Sequence, residues 1–218
     1  MRCLAVLLSL LPFSLAAADA TATSEDRWAK EMQRFEEQDE TQPAEEGGVV
    51  FVGSSSIRLW NLDESFPKLE ALNRGFGGSQ IDDSVRHLDL LVLRHKPRVV
   101  VFYAGDNDVN GGKSPETVVK DFETFVARLH DELPDTKIVY VSIKPSRARW
   151  KLADKMQQAN AGIAAVCERS AVCEYVDVWP AMLGEDGLPR QELFVDDGLH
   201  LSPKGYAIWT ELVAPHLE

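Results

Sequence analysis

Four short stretches of the 218-residue chain hold residue types that together could run nucleophilic acyl chemistry. They are Gly53-Ser54-Ser55-Ser56, Gly75-Phe76-Gly77-Gly78-Ser79, Gly105-Asp106-Asn107-Asp108 and Asp197-Gly198-Leu199-His200. A serine hydroxyl is a poor nucleophile until a neighbouring imidazole takes its proton as it attacks a carbonyl. His200 is the candidate base, because Asp197, three residues earlier in a glycine-containing turn, can accept a hydrogen bond from its other ring nitrogen and stabilise the imidazolium. The other histidines lack such a partner in a strand-end loop: His87 and His95 fall on or near one helix, His130 ends another, and His216 lies near the C-terminus. Negative charge developing on a carbonyl oxygen calls for preorganised donors, which glycine-rich backbone and the Asn107 amide can supply. Taken singly, each stretch has an ordinary explanation, since a serine after glycine is usually a turn or cap and glycine runs serve backbone geometry. Their shared placement carries the weight.

That placement comes from the elements around them. Val49–Val52, Ala71–Arg74, Arg98–Tyr103, Lys137–Ile143 and Glu174–Trp179 read as five short strands, most of them apolar on both faces. Between the later strands run apolar stripes at helical spacing: Ile81, Val85, Leu88, Val92; then Val118, Phe122, Phe125, Leu129; then Leu152, Met156, Ala159, Ile163, Val166. Ser114-Pro115 and Ser202-Pro203 each put a cap residue before a proline suited to the first helical position, and the last helix carries Tyr206, Trp209 and Val213 inward. Strands alternating with helices predict an α/β protein, a three-layer α/β/α sandwich around a doubly wound five-stranded parallel sheet. In such sheets chemistry gathers beyond the carboxyl ends of the strands, and all four stretches fall at that edge.

In order and spacing these blocks resemble those of the SGNH hydrolases, the GDSL-like lipases and acylhydrolases, over nearly the whole chain after residue 20. Val49–Ser56 is similar to the nucleophile block, whose serine falls on Ser55; Asn73–Gly78 to the second block, whose oxyanion glycine falls on Gly78; Gly105–Asp108 to the third, whose asparagine falls on Asn107; and Asp197–His200 to the closing Asp-x-x-His. The resemblance implies a flavodoxin-like fold, a catalytic set of Ser55, Asp197 and His200, and an oxyanion hole from the N–H of Ser55, the N–H of Gly78 and the Asn107 amide. It also implies ester hydrolysis through an acyl-enzyme with no cofactor and no metal. This chain departs from the common pattern at Ser54, where the family usually has aspartate. Ser54 and Ser56 are expected to hydrogen-bond the turn or cap the following helix.

The implied partner is a small-molecule acyl ester, with a small-acyl or carbohydrate-linked ester placed ahead of a lysophospholipid or thioester. Arg58 and Trp60 beyond the nucleophile, and Arg147 in the loop Lys144–Trp150 after the fourth strand, are possible substrate-binding residues; the alternative is solvated arginines and a tryptophan covering the core edge. Two rival functions stand beside the esterase. In a metal-dependent phosphoesterase, Asp82, Asp83, Asp106, Asp108, Asp196, Asp197 and His200 would gather a hard cation. In a non-catalytic binding module the fold would remain and turnover would be lost. Gly111-Gly112-Lys113-Ser114 and Gly75-Phe76-Gly77 only imitate nucleotide-binding loops, because Asn107 and Gln80 stand where those patterns need glycine.

The chain's ends and charge bound the rest. Arg2, the apolar run Leu4–Leu15 and the small residues Ala16–Ala18 predict a secretory signal peptide over residues 1–20, hence a periplasmic or secreted protein. Residues 21–47 read as an N-terminal helix, with Trp28, Met32 and Phe35 at helical spacing, and a linker; 48–218 read as the hydrolase domain. With 23 basic and 35 acidic residues the net charge is −12, which disfavours nucleic acid and anionic lipid as partners. The first apolar run is too short to span a bilayer comfortably and every later one is broken by charge sooner still, so no stable membrane insertion is expected, and oligomeric state is not legible. Loss of Cys3 with the signal would leave Cys167 and Cys173, open to pairing as a disulfide or to burial as two thiols.

Overall fold

The computed structural model describes residues 24–217; the predicted signal peptide, with Cys3, lies outside the described residues. Five strands, β1 (Val49–Gly53), β2 (Ala71–Gly75), β3 (Val99–Tyr103), β4 (Lys137–Val141) and β5 (Cys173–Val176), form one all-parallel sheet in the order β2-β1-β3-β4-β5. The three central strands are almost wholly buried because both faces of the sheet are covered. Alternation of side chains along each strand divides the core. Val50, Val52, Val100 and Phe102 face one layer of helices, and Val49, Phe51, Val99 and Val101 face the other.

The first layer holds α1 (Ser24–Thr41), α4 (Ile81–Arg86), α5 (Leu88–Leu91), α7 (Pro115–Glu132) and α8 (Ala153–Glu168). The second holds α2 (Ser55–Arg58), α3 (Leu62–Ser65) and α9 (Pro203–Val213), and a short α6 (Asp106–Asn110) follows β3. This is the expected three-layer sandwich. No described helix is long and apolar enough to cross a membrane.

The stripe from Ile81 to Val92 does not form one helix. The chain breaks at His87, which ends α4 and precedes α5. The break lets Leu88, Leu90 and Leu91 all be buried, a spacing that one straight helix would spread around its circumference. Strand β4 also stops short of Ile143. There the Asn160 side chain accepts from the Ile143 N–H at 2.8 Å and donates to its carbonyl at 2.9 Å, replacing the ladder and turning the chain out of the sheet. Strand β5 likewise ends at Val176 rather than Trp179.

Helix α1 is anchored along its length. Trp28, Met32 and Phe35 are buried in the core, and near its C-terminal end the fully buried Arg74 of β2 pairs with Asp39, donates to Gln38 Oε1 at 2.8 Å and lies over the Phe35 ring. Cys167 and Cys173 form a disulfide, with Cα atoms 4.7 Å apart, that closes the turn between α8 and β5.

Candidate active site

Strand β1 leads on to β2 at one side while its other neighbour, β3, leads on to β4 at the opposite side, so the two connections diverge and open a crevice between β1 and β3 at the carboxyl edge. Gly53 ends β1 with φ +137°, where any Cβ would run into the Tyr103 carbonyl of β3; only glycine lets the chain turn this close to its neighbour. The turn brings Ser55 to the first position of α2, where its backbone N–H has no intrahelical acceptor.

Across the crevice, the 194–201 segment is folded back on itself by a bridge between Phe194 and Leu201 and a bond from the Val195 N–H to the His200 carbonyl at 2.9 Å. Ser202 caps α9 immediately afterwards. His200 thereby points Nε2 at Ser55 Oγ, 3.0 Å away, and its Nδ1 lies 2.5 Å from Asp197 Oδ2. Asp197 Oδ1 accepts from the N–H groups of Leu199 at 2.8 Å and His200 at 2.9 Å. Burial works against the Asp197 carboxylate, but these bonds, led by the one from the His200 ring, outweigh it and hold its pKa at about 2. The His200 ring nitrogen facing Asp197 is then the donor and Nε2 is left to accept from Ser55. Among the described residues, His200 alone joins a carboxylate to a serine hydroxyl; His95 and His216 face Asp39 and Glu174 elsewhere.

The proposed donors lie in the segments that follow β1, β2 and β3 at this same edge. Gly78 sits at φ +78° in the loop after β2, and neither its N–H nor that of Ser55 has an acceptor among the described residues. Asn107, in the first turn of α6, donates from Nδ2 to the Ser79 carbonyl at 3.0 Å and accepts at Oδ1 from Arg149 Nη2 at 3.0 Å. A guanidinium can only donate and a carbonyl only accept, so these two partners fix which way the amide points. The second N–H of Nδ2 has no acceptor among the described residues.

Arg149 is the residue that sequence reasoning passed over. It also donates to Asp106 Oδ2 at 2.9 Å, which lies 3.4 Å from the fully buried Lys144 Nζ. Burial pushes the Lys144 ammonium down against the pull of Asp106. Two cations with a carboxylate in the preceding strand-end loop were the available signal, but a loop sequence does not say which arginine turns inward. Arg147 turns out: it is exposed, its Nη1 reaches only the Pro189 carbonyl at 3.4 Å, and its Cβ packs beside Gly198.

Trp60 is not at the site. It is 2% exposed, surrounded by Phe51, Phe66, Tyr206 and Trp209, and its indole N–H is taken by Ser65 Oγ at 2.9 Å, so the alternative of a tryptophan in the core holds. Arg58 is exposed and lies against Gly77. Ser54 stands at the cap position of α2 without the expected side-chain cap bond, its buried hydroxyl having no partner among the described residues.

The carboxylates of the metal reading do not converge. Asp106 is engaged by Arg149 and Lys144, and Asp197 by His200. Asp82, Asp108 and Asp121 do cluster, but Lys113 Nζ lies among them at 2.7, 3.1 and 2.7 Å, occupying with its own charge the place a cation would take.

Beside His200 runs an apolar groove of about 750 Å³ lined by Leu59, Val195, Leu201, Pro203, Tyr206 and Ala207. Leu59 and Val195, two of the few large apolar residues left exposed, form its rim. A second cavity of about 450 Å³, near Gln42, Ala71 and Pro97, lies at the opposite edge of the sheet.

The five-stranded parallel sheet between two layers of helices, with these loops at its carboxyl edge, is the three-layer α/β/α architecture of the SGNH hydrolases. The GDSL-like Lipase/Acylhydrolase family profile matches residues 58–208, and the chain belongs to that family. The match begins just past Ser55, so the identity of the serine rests on its geometry. Among solved structures, a Streptococcus pneumonia protein named for platelet activating factor is similar at 22% identity, covering 88% of this chain and 94% of that one with a TM-score of 0.80. A GDSL-like lipase from Bacteroides thetaiotaomicron is similar at 20% identity, with coverage of 89% and 97% and a TM-score of 0.71. A carbohydrate esterase family 3 protein from Talaromyces cellulolyticus is similar at 19% identity, with coverage of 78% and 96% and a TM-score of 0.63. Among curated proteins no significant match is found.

Proposed function

We propose that this protein is a serine esterase that hydrolyses a small-acyl or carbohydrate-linked carboxylic ester through an acyl-enzyme. The observation that carries this reading is the unbroken line of hydrogen bonds from Asp197 through His200 to Ser55, at 2.5 and 3.0 Å. Ser55 Oγ attacks the ester carbonyl while His200 Nε2 takes its proton, and the ionised Asp197 stabilises the resulting imidazolium. Charge on the former carbonyl oxygen is met by the N–H groups of Ser55 and Gly78 and by Asn107 Nδ2. His200 then protonates the departing alkoxide, and water, deprotonated by the same imidazole, releases the acid.

Family membership supports ester hydrolysis, and the similarity to a carbohydrate esterase favours a small acyl group on a sugar. The apolar groove beside His200 is the feature that would suit a longer chain, as in the lysophospholipase or thioesterase alternative. Export to the periplasm or exterior belongs to the same reading, and the Cys167–Cys173 disulfide is a bond that such a compartment permits.

The test is hydrolysis of a chain-length series of p-nitrophenyl esters by the protein lacking residues 1–20, by Ser55→Ala and by Asn107→Ala, with and without chelator. Ser55→Ala should abolish chelator-resistant turnover, and Asn107→Ala should lower kcat by about 10²–10³. Retained activity in Ser55→Ala would overturn the mechanism. A preference for acetyl over longer chains would separate the small-acyl reading from the lipase alternative.

A further inference from the structure

The loop that carries Gly77 and Gly78 is flanked by two guanidinium groups. Arg58 approaches from the end of α2, with Nε 3.2 Å and Nη2 3.5 Å from where a Cβ on Gly77 would stand. Arg27 approaches from α1, with Nη2 2.7 Å from the equivalent point on Gly78. The two glycines leave the room that lets both cations come down onto the backbone.

These arginines differ from the rest of the chain's. Every other described arginine reaches a carboxylate, a side-chain acceptor or a carbonyl oxygen. Among the described residues, Arg27 and Arg58 have neither hydrogen-bond acceptor nor ion-pair partner, although the protein carries 35 acidic residues against 23 basic ones. Arg27 is held in place without an anion by lying over the Trp28 ring at 4.6 Å. Two like charges beside one loop repel unless something negative sits between them, and a planar guanidinium is suited to bidentate capture of carboxylate or phosphate. Arg27 stands next to Gly78, whose N–H is a proposed oxyanion donor, and Arg58 stands next to Gly77, the residue before it.

We infer that Arg27 and Arg58 form an anion subsite, and that the ester this protein hydrolyses carries a carboxylate or phosphate a few atoms from the scissile carbonyl. The inference rests on the esterase reading and narrows its substrate class. An anionic group bound there pulls the carbonyl toward the oxyanion donors without touching the reacting atoms.

The experiment compares matched ester pairs. An anionic acyl group is probed with 4-nitrophenyl hydrogen adipate against 4-nitrophenyl hexanoate, and an anionic alcohol with 4-acetoxybenzoate against 4-methylphenyl acetate. Spontaneous hydrolysis is subtracted using Ser55→Ala. The readout is the anionic-to-neutral ratio of kcat/KM. In the parent this ratio should exceed one by about tenfold or more for at least one pair, and it should fall about tenfold in Arg27→Gln and in Arg58→Gln, and further in the double variant. Which pair shows the effect tells whether the anion belongs to the acid or to the alcohol. A parent ratio near one for both pairs, or a ratio that the substitutions leave in place, overturns the subsite. If the parent cleaves no ester at all, the esterase reading is what has failed. The subsite is then read by calorimetric titration of monomethyl glutarate and of phenyl phosphate into the parent and the double variant: binding of either ligand lost in the double variant supports it, and no binding to the parent or equal binding to both proteins overturns it.

Discussion

Trp28 Nε1 donates to the carbonyl oxygen of Gly77 at 3.0 Å, across 49 residues of chain. A peptide unit is planar, so fixing the direction of the Gly77 carbonyl fixes the direction of the Gly78 N–H on its other side. Trp28 is itself immobilised, 5% exposed and edge-on to Phe76 with ring centroids 5.5 Å apart. Helix α1, which precedes the span matched by the family profile, thus holds one of the proposed oxyanion donors in place.

Trp28→Phe keeps a ring in the packing and removes the donor. It should lower kcat by about tenfold with KM little changed, less than the 10²–10³ expected for losing a donor outright. Steady-state kinetics on the preferred p-nitrophenyl ester check this. A lower melting temperature with unchanged kcat would mean that the indole serves packing alone.

Arg149 grips Asp106 and Asn107 with two different nitrogens, a span that a single ammonium does not reproduce. Arg149→Lys should therefore behave like Arg149→Ala, with kcat reduced by one to two orders of magnitude and KM less affected. Full rescue by lysine would show that Arg149 contributes charge and not the orientation of the Asn107 amide.

Trp60 faces the core. Trp60→Ala should cost about 3–5 kcal/mol of stability through the cavity it leaves, measured by urea unfolding, while KM per folded molecule stays near that of the parent. A raised KM at unchanged stability would return Trp60 to the substrate.

Asp108 gives a pH signature. Its carboxyl is fully buried with Oδ2 unpartnered among the described residues, and this burial outweighs Lys113 and the Ile81 N–H to push its pKa up to about 6. The folded value lies above the roughly 3.9 of an unfolded aspartate, so its stabilising effect is full below about pH 4 and is lost as pH rises through about 6. Asp108→Asn should flatten the stability profile across that window, by on the order of 2–3 kcal/mol, as read from urea midpoints at pH 4, 5, 6 and 7. An unaltered slope would place the titration on another group.

The sheet and the Asp197–His200 pairing are legible in the sequence because they depend on local chemistry. Apolar runs as short as Val99–Tyr103 can only be buried strands when helical stripes alternate with them, and an aspartate three residues before a histidine in a glycine turn lies within reach of its ring. The four blocks were legible for a related reason: each is a short contiguous stretch at the end of one strand. Residues that act across long separations were not. Trp28 on Gly77, Arg149 on Asn107, Asn160 on Ile143 and Arg27 beside Gly78 are meetings between elements, and their partners depend on how helices α1 and α8 and the loop after β4 pack against the sheet.

Amphipathic periodicity says which face of a helix is buried, but not how far it slides along the sheet or which loop its end meets. For the same reason Trp60, one residue type with two plausible places, went to the core only when Phe51, Phe66, Tyr206 and Trp209 closed around it. Composition and spacing determined the class of chemistry and the edge at which it occurs. Tertiary packing decided which donors are aimed, which arginines find no partner among the described residues and which aromatic residue is structural, because those outcomes are set by contacts between segments that the chain's local pattern does not encode.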